Sequence, residues 1–139
     1  MLVISHRGNI CGINVNTENN PRHISELLNA NIPVEIDVWL TADGVYLGHD
    51  IPTYKVTLDY LKNTRLWCHA KNINALELML AYDINCFWHQ SDDFTITSKG
   101  VIWTYPGKPV CKNSIIVDTA KDWRDKRYSC LGVCVDYID

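Results

Sequence analysis

The chain has 139 residues, 47% of them hydrophobic, which is enough for one packed domain. Its formal net charge is -3, whereas a protein that binds nucleic-acid phosphates is usually basic, so no nucleic-acid partner is expected. No apolar run reaches the roughly 18 residues of a membrane-spanning helix, and the start of the chain reads as a strand rather than a signal peptide.

The first half of the chain alternates strand-like and helix-like segments. Short runs rich in β-branched residues predict strands, and apolar residues at helical spacing predict helices. Asp43-Gly44 is a hairpin signal. The predicted order is strand 2–5, helix 23–30, strand 33–40, a returning strand 45–48, a short helix 57–62, strand 66–71 and helix 75–82.

The second half contains strands at closer intervals. The strand candidates are 85–89, 94–97, 101–105, 114–118 and 132–136, with a short charged helix at 121–127. A parallel crossover needs about a dozen residues or more, usually with a helix, and this half barely provides that length. The alternation of strands and helices indicates an α/β fold with a parallel sheet, in one domain that covers residues 1–139.

A complete (β/α)8 barrel typically takes about 250 residues. We therefore expect a shortened TIM-type barrel of seven or eight mostly parallel strands, with the helices after the fourth and fifth strands reduced to loops. Closure with seven strands, closure with eight and an open sheet are all compatible with the sequence. A homo-oligomer could cover the barrel exterior that the missing helices leave bare.

Two carboxylates, Glu35 and Asp37, share one face of the predicted strand 33–40, because side chains alternate along a strand. Two acids in an otherwise apolar run are costly to bury unless something positive binds them. A hard divalent cation with oxygen ligands is one such partner. The alternative is that both acids lie at an exposed edge or pair with Arg and Lys, and the strand alone does not decide between these readings.

Polar side chains recur at the carboxyl ends of other predicted strands. His69 and Lys71 share a face of the third main strand, His89 ends the fourth, and Cys134 and Asp136 share a face of the last. Ligands bind at that end of parallel sheets and barrels. This convergence predicts a ligand site more strongly than any single pair does.

His6-Arg7-Gly8 closes the first strand, and His49 follows the returning strand. Arg7 can bind a phosphate through several N–H groups, and Gly8 permits a tight turn beside it. His6 and His49 can transfer protons near neutral pH. A single histidine is more often a surface or core residue than a catalyst, so the prediction rests on their joint placement.

Four of the six cysteines lie in or beside apolar strand-like runs, where free cysteine behaves as a small hydrophobe. Those four are Cys68, Cys86, Cys130 and Cys134. A structural zinc site prefers CxxC or close Cys/His pairs, which Cys130 and Cys134 alone do not supply. The pattern favours reduced thiols, and a cytoplasmic location is therefore expected.

The segments ISHRG, TEN, VEIDVWLTADGVYLGHD and a strand ending in Ala-Lys resemble, in order and spacing, the glycerophosphodiester phosphodiesterases. The similarity covers residues 2–71, and GVCVDYID resembles the last barrel strand of that family. The related phosphatidylinositol phospholipases C and spider-venom-type phospholipases D share the barrel and the two-histidine chemistry. The resemblance implies metal-dependent hydrolysis of glycerophosphodiesters or related small phosphodiesters, and a place in lipid metabolism.

The resemblance also implies roles for the matching residues. His6 and His49 would be the acid–base pair, with His6 as the base and His49 as the acid when an internal hydroxyl of the substrate attacks phosphorus. The other implied roles are phosphate binding by Arg7 and Lys71, metal binding by Glu35 and Asp37, and support of the site by Glu18 and Asn19. The implied metal is Mg2+ or Ca2+.

The sequence departs from the family pattern at the third strand. His69 stands where the family usually has a metal-binding acid, and imidazole suits Zn2+ or Mn2+ better than Ca2+. His69 is therefore a further candidate ligand, and a water-filled gap or a ligand from Asp118 or Asp136 are alternatives. The back half is also too short for the usual leaving-group pocket. A non-catalytic module that binds a phosphate ligand, or a phospholipase of the C or D type, are the alternative functions.

Overall fold

Ten strands and two α-helices make up the computed structural model, which describes residues 1–139. The strands are β1 (Leu2–His6), β2 (Val34–Thr41), β3 (Gly44–Leu47), β4 (Tyr54–Val56), β5 (Leu66–Ala70), β6 (Cys86–Phe87), β7 (Phe94–Ile96), β8 (Ile102–Thr104), β9 (Ser114–Val117) and β10 (Gly132–Val135). The helices are α1 (Pro21–Asn29) and α2 (Ile73–Ala81). The predicted helices 57–62 and 121–127 form only short 3-10 helices, Asp59–Lys62 and Trp123–Lys126.

Seven strands form a curled parallel sheet in the order β6-β5-β2-β1-β10-β9-β8. The register of this sheet decides which polar side chains become neighbours. His6 on β1 pairs with Glu35 on β2, and Asp37 on β2 pairs with His69 on β5. Because side chains alternate along each strand, all four project from the same face of the sheet.

The expectation of seven or eight mostly parallel strands is correct only in part. Three strand pairs are antiparallel: β2 with β3, β3 with β4, and β7 with β8. The β2–β3 hairpin follows the Asp43-Gly44 signal, and β7 occupies the edge of β8 in place of a helix. The sheet is thus a partial, shortened barrel with an antiparallel branch, and not a regular (β/α)8 barrel.

An apolar layer lies beneath the polar one inside the curled sheet. Its buried members are Ile4, Trp67, Phe87, Trp103, Ile115 and Cys134. Most polar residues of the mouth stand two positions further along the same strands, as His6 does after Ile4 and His69 does after Trp67. This two-residue period gives the barrel an apolar floor and a polar mouth.

The two helices cover only one side of the sheet. Asn20 caps α1 by accepting a hydrogen bond from Arg22 N, and Asn72 caps α2 by accepting one from Ala75 N. Their buried side chains pack on β2 and β5 in the largest apolar cluster. No helix in the structure has the length and apolar character needed to cross a membrane.

Candidate active site and metal centre

A cavity of about 410 Å³ opens at the mouth of the curled sheet. Its lining includes six residues singled out in the sequence: His6, Arg7, Glu35, His49, His69 and Lys71. Four other hollows on the surface are larger, at about 420 to 580 Å³, but none of them is lined by both a carboxylate and an imidazole. The mouth of the sheet is therefore where acids, imidazoles and cationic side chains meet.

Glu35 and Asp37 point into the barrel and are 2% and 1% exposed, so the alternative of an exposed edge is wrong. One oxygen of each, Glu35 Oε2 and Asp37 Oδ1, is buried without a hydrogen-bond donor. Burial raises the pKa of Glu35, and repulsion from Asp37 raises it further. Burial also acts to raise the pKa of Asp37, but its contacts with His69 and Arg7 outweigh burial and leave that pKa below the usual value.

His69 completes a cluster with the two acids. Its Nδ1 lies 3.3 Å from Asp37 Oδ1 and 3.8 Å from Glu35 Oε1, while its Nε2 lies 2.7 Å from the carbonyl oxygen of His89. One ligand atom from each of the three residues lies within 4.8 Å of the others. That spacing suits three ligands of a single ion, because each ligand atom lies about 2.0 to 2.6 Å from a bound metal.

The chemistry of these three residues fits a divalent cation. Two buried carboxylate oxygens without donors are unfavourable, and a cation between them would satisfy both. Carboxylate and imidazole are both ordinary metal ligands in proteins. Glu35, Asp37 and His69 are therefore the candidate ligands, which agrees with the sequence-based assignment of the two acids and with the candidacy of His69.

Asp118 and Asp136, the alternative ligands, do not join this cluster. Asp118 accepts hydrogen bonds from Lys126 Nζ and the Tyr128 hydroxyl, both at 2.7 Å. Burial acts to raise the pKa of Asp118, but these bonds outweigh it and leave that pKa below the usual value. Asp118 is thus satisfied by these bonds and is not available to the cluster of Glu35, Asp37 and His69.

Asp136 instead contacts the predicted catalytic base. His6 Nδ1 donates to Asp136 Oδ1 at 2.8 Å, and Asn9 Nδ2 donates to the same oxygen at 2.8 Å. Burial lowers the pKa of His6, but the bond to Asp136 and the nearby Glu35 outweigh it, so the pKa lies above its ordinary value. The sequence placed Asp136 at the end of the last strand but did not connect it with His6, and no pattern singled out Asn9.

Arg7, the first residue of the loop after β1, lies between Glu18 of the same loop and the buried Asp37. Its Nη1 lies 3.6 Å from Glu18 Oε2, and its Nε lies 3.4 Å from Asp37 Oδ2. Asn19 donates from Nδ2 to Asp37 Oδ2, and its Oδ1 accepts from Asp37 N, both at 2.9 Å. Pairing of Asp37 with an arginine is therefore real, but it leaves Asp37 Oδ1 unpaired. The predicted supporting residues Glu18 and Asn19 both contact residues of the site.

His49 and Lys71 also line the cavity, and both are more open to solvent than the acids. His49 follows β3, and its Nδ1 donates to Asp50 Oδ1 at 2.7 Å with 40% of the side chain exposed. Lys71 follows β5, and its backbone N–H donates to the Val38 carbonyl. The structure thus brings together every residue that the sequence assigned to the site.

No family model and no curated protein matches this sequence. Among solved structures, the chain is similar to the crystal structure of a candidate glycerophosphodiester phosphodiesterase from Galdieria sulphuraria, with 12% sequence identity and a TM-score of 0.59. The similarity covers 98% of this chain and 94% of that chain. The chain therefore has, in shortened form, the fold of that protein, and the resemblance to the family is confirmed at the level of the fold.

Proposed function

We propose that this protein hydrolyses glycerophosphodiesters or related small phosphodiesters with the help of a divalent metal ion. The observation that carries the proposal is one cavity lined by the two proposed catalytic histidines, two cationic side chains and the buried Glu35, with the buried Asp37 next to Glu35 on the same face of β2. That combination can serve phosphodiester hydrolysis, because protons move at two oxygens while negative charge grows on the phosphoryl group. The shared fold with a candidate phosphodiesterase supports the proposal.

His6 is the proposed base. A carboxylate can only accept a hydrogen bond, so the proton of a neutral His6 lies on Nδ1, towards Asp136. Nε2 then carries the free lone pair, and it lies 3.9 Å from Glu35 Oε2 at the cavity. In this orientation, Nε2 accepts the proton of the attacking hydroxyl group.

His49 is the proposed acid, because it lies on the cavity wall and is open to solvent, where a leaving alkoxide must be protonated. Arg7 and Lys71 bind phosphoryl oxygens and offset their growing charge. Glu35, Asp37 and His69 hold the metal. When bound there, a divalent ion supplies Lewis-acid stabilisation of negative charge on the phosphoryl oxygens.

A lipid phosphodiester is the second candidate substrate. Three aliphatic side chains on the loops that follow Arg7 and His49 are largely exposed: Ile13 at 69%, Val15 at 76% and Ile51 at 66%. Exposed apolar side chains beside a mouth favour contact with an acyl chain or a bilayer surface. A phospholipase of the C or D type would use the same polar residues on a larger substrate.

The two-histidine assignment is tested by replacing each histidine separately. We expect His6→Ala and His49→Ala each to lower kcat on glycerophosphocholine, which has a free hydroxyl and a poor alkoxide leaving group, by about 100-fold or more, which is the usual contribution of a general acid or base. The side chain of His49 is 40% exposed, so the unfolding midpoint of His49→Ala should hardly change, whereas His6→Ala removes a donor from the buried Asp136 and should cost about 1 to 3 kcal/mol of stability. The measurement is steady-state kinetics beside thermal denaturation of the same samples.

His23→Gln is the matched control. His23 lies outside the cavity lining and donates from Nε2 to the Gly8 carbonyl at 2.7 Å, a bond that a glutamine amide can replace. This variant should retain wild-type turnover. Loss of activity that only follows loss of folded protein in His6→Ala or His49→Ala would contradict the assignment. Folded wild-type protein that binds metal but turns over no phosphodiester would favour the non-catalytic phosphate-binding module.

A further inference from the structure

The proton arrangement of His69 determines what its Nδ1 can do. The carbonyl oxygen of His89 can only accept, so the contact of 2.7 Å requires that Nε2 of His69 donates. A neutral His69 then has its lone pair on Nδ1, facing Asp37 Oδ1 and Glu35 Oε1. A lone pair facing two carboxylates is repulsive unless a metal cation or a proton lies between them. A carbonyl that receives the second N–H is the usual arrangement behind a metal-binding histidine.

The ring of His69 is also held in its plane. It stacks on Phe87 with ring centres 5.1 Å apart and an angle of 12°, and Phe87 stacks in turn on Trp103 at 4.4 Å. These aromatic residues belong to the buried floor of the barrel, so the imidazole cannot turn freely. Nδ1 is therefore directed at the two acids before any ion binds.

The resulting ligand set contains two carboxylates and one imidazole nitrogen. Mg2+ and Ca2+ prefer oxygen ligands throughout, whereas imidazole suits borderline transition ions such as Zn2+. The two carboxylate oxygens that lack a hydrogen-bond donor, Glu35 Oε2 and Asp37 Oδ1, are buried. The carboxylate ligands of the candidate site are therefore shielded from solvent. The nitrogen ligand is the feature that distinguishes this site from an all-oxygen site.

We infer that the site prefers a borderline transition ion such as Zn2+ over Mg2+ or Ca2+, and that His69 sets this preference. The inference rests on the metal site of the proposed function but not on the proposed reaction. A protein that binds Zn2+ through these residues without hydrolysing any phosphodiester would support the inference and contradict the function.

The test compares affinities in metal-free protein. The dissociation constants of Zn2+ and of Mg2+ are measured by competition with a chromophoric chelator, for the wild type, His69→Glu and His69→Asn. Glutamate supplies an anionic oxygen, and asparagine supplies a neutral oxygen close to the position of Nδ1. Protein sites generally bind Zn2+ more tightly than Mg2+, so neither affinity alone is informative. The informative quantity is the ratio of the Zn2+ affinity to the Mg2+ affinity, compared between the wild type and each variant. We expect this ratio to fall by about tenfold or more in both variants.

His49→Asn is the matched control, because it removes another imidazole from the same cavity without touching the acids. Its ratio of affinities should equal that of the wild type. Exposed Cys11 and Cys111 are rival zinc ligands. The absorption spectrum of the Co2+-substituted wild type separates them, because cysteine ligation adds a sulfur-to-cobalt charge-transfer band in the near ultraviolet.

Three results would overturn the inference. One is a wild-type ratio of affinities retained in both His69 variants. Another is a cysteine charge-transfer band in the Co2+-substituted wild type. The third is folded wild-type protein that binds no transition ion, which would mean that a proton on His69 Nδ1 fills the role of the cation.

Discussion

At the residue scale, the orientation of His6 depends on an acid 130 positions away in sequence. Asp136 Oδ1 accepts from both His6 Nδ1 and Asn9 Nδ2, and Asn9 Nδ2 also donates to Glu18 Oε1 at 2.9 Å. Asp136 therefore acts through His6 as a positioning residue and fixes which ring nitrogen faces the cavity. Its negative charge also raises the pKa of His6 against the opposing effect of burial.

The substitution Asp136→Asn separates the charge of Asp136 from its geometry. An asparagine oxygen can still accept from His6 Nδ1, so the ring orientation is kept while the negative charge is lost. The charge raises the pKa of His6, so its removal lowers that pKa. If His6 is the base, the acid limb of the kcat/KM profile moves to lower pH. We expect kcat to fall by about tenfold or more, since a less basic group is a weaker base.

Asp118→Asn is the matched control, because Asp118 is also buried but bonds only to Lys126, Tyr128 and Ala120. Its low folded-state pKa means that its contribution to stability is present above the unfolded pKa and is lost as the pH falls through the folded value. The variant should lose about 1 to 3 kcal/mol of stability at pH 7 and keep the wild-type pH–rate profile. An acid limb that stays in place in Asp136→Asn would contradict the role of Asp136.

At the element scale, the loop from Arg7 to Asn20 joins β1 to α1 and is held against β2 mainly by the side chain of Asn19, beside the ion pair of Arg7 with Asp37. Asn19 adopts a positive φ of 56° and makes two hydrogen bonds to Asp37. The next residue, Asn20, caps α1 and makes no contact with the acids. Asn19 thus supports the candidate metal centre, whereas the adjacent Asn20 supports the start of helix α1.

This division predicts different effects for Asn19→Gly and Asn20→Ala. Glycine accepts a positive φ without strain, so Asn19→Gly removes only the side chain that holds Asp37. We expect metal affinity to fall by about 10-fold to 100-fold, as is usual when a partner of a metal ligand is lost. Asn20→Ala removes the cap and should lower the free energy of unfolding by about 1 kcal/mol, with metal affinity unchanged.

Calorimetric titration of metal and urea denaturation of both variants give the two quantities. Equal metal affinities in Asn19→Gly and Asn20→Ala would show that Asn19 does not position a metal ligand. A large loss of affinity in Asn20→Ala would show that α1 as a whole holds the site.

The strands and helices themselves were largely predictable, because apolar periodicity and the turn signals decide them locally. Alternation within one strand was enough to place Glu35 beside Asp37 and His69 beside Lys71 on common faces. β4 (Tyr54–Val56) was missed because it closely follows Pro52 and has Lys55 at its centre, so no apolar run marks it in the sequence. The 3-10 helix Trp123–Lys126 ends one residue earlier than predicted, because Arg127 adopts a positive φ of 49°.

At the scale of the whole molecule, the way in which the sheet curls could not be predicted. No strand ladder joins β6 to β8, and the two strands meet through the stacked rings of Phe87 and Trp103. Ser98 adds two hydrogen bonds to Cys86, one from its backbone N–H and one to its hydroxyl oxygen. These contacts depend on the register of strands far apart in sequence, which local patterns do not encode. The pairing of His6 with Asp136 was missed for the same reason.

Homo-oligomerisation stays a prediction at this scale. The missing helices leave Phe94 and Ile96 of β7 exposed, at 48% and 70%. An apolar edge of this kind is where a second copy of the chain would pack.

The central claim is that the cavity hydrolyses a phosphodiester only when the two buried acids hold a metal. The most direct measurement is phosphorus NMR of glycerophosphocholine incubated with the protein, first after chelation and then with Mg2+, Ca2+, Mn2+ or Zn2+ restored. The double variant Glu35→Gln, Asp37→Asn is run beside the wild type. Thermal denaturation with and without each metal shows whether the ion binds the folded protein.

The account predicts loss of the phosphodiester signal and release of choline by the wild type with a restored metal. It predicts no turnover in the chelated sample and no turnover or metal-induced stabilisation in the double variant. Hydrolysis that survives chelation or survives in the folded double variant would contradict the account, as would an unchanged phosphodiester signal from folded, metal-bound wild-type protein.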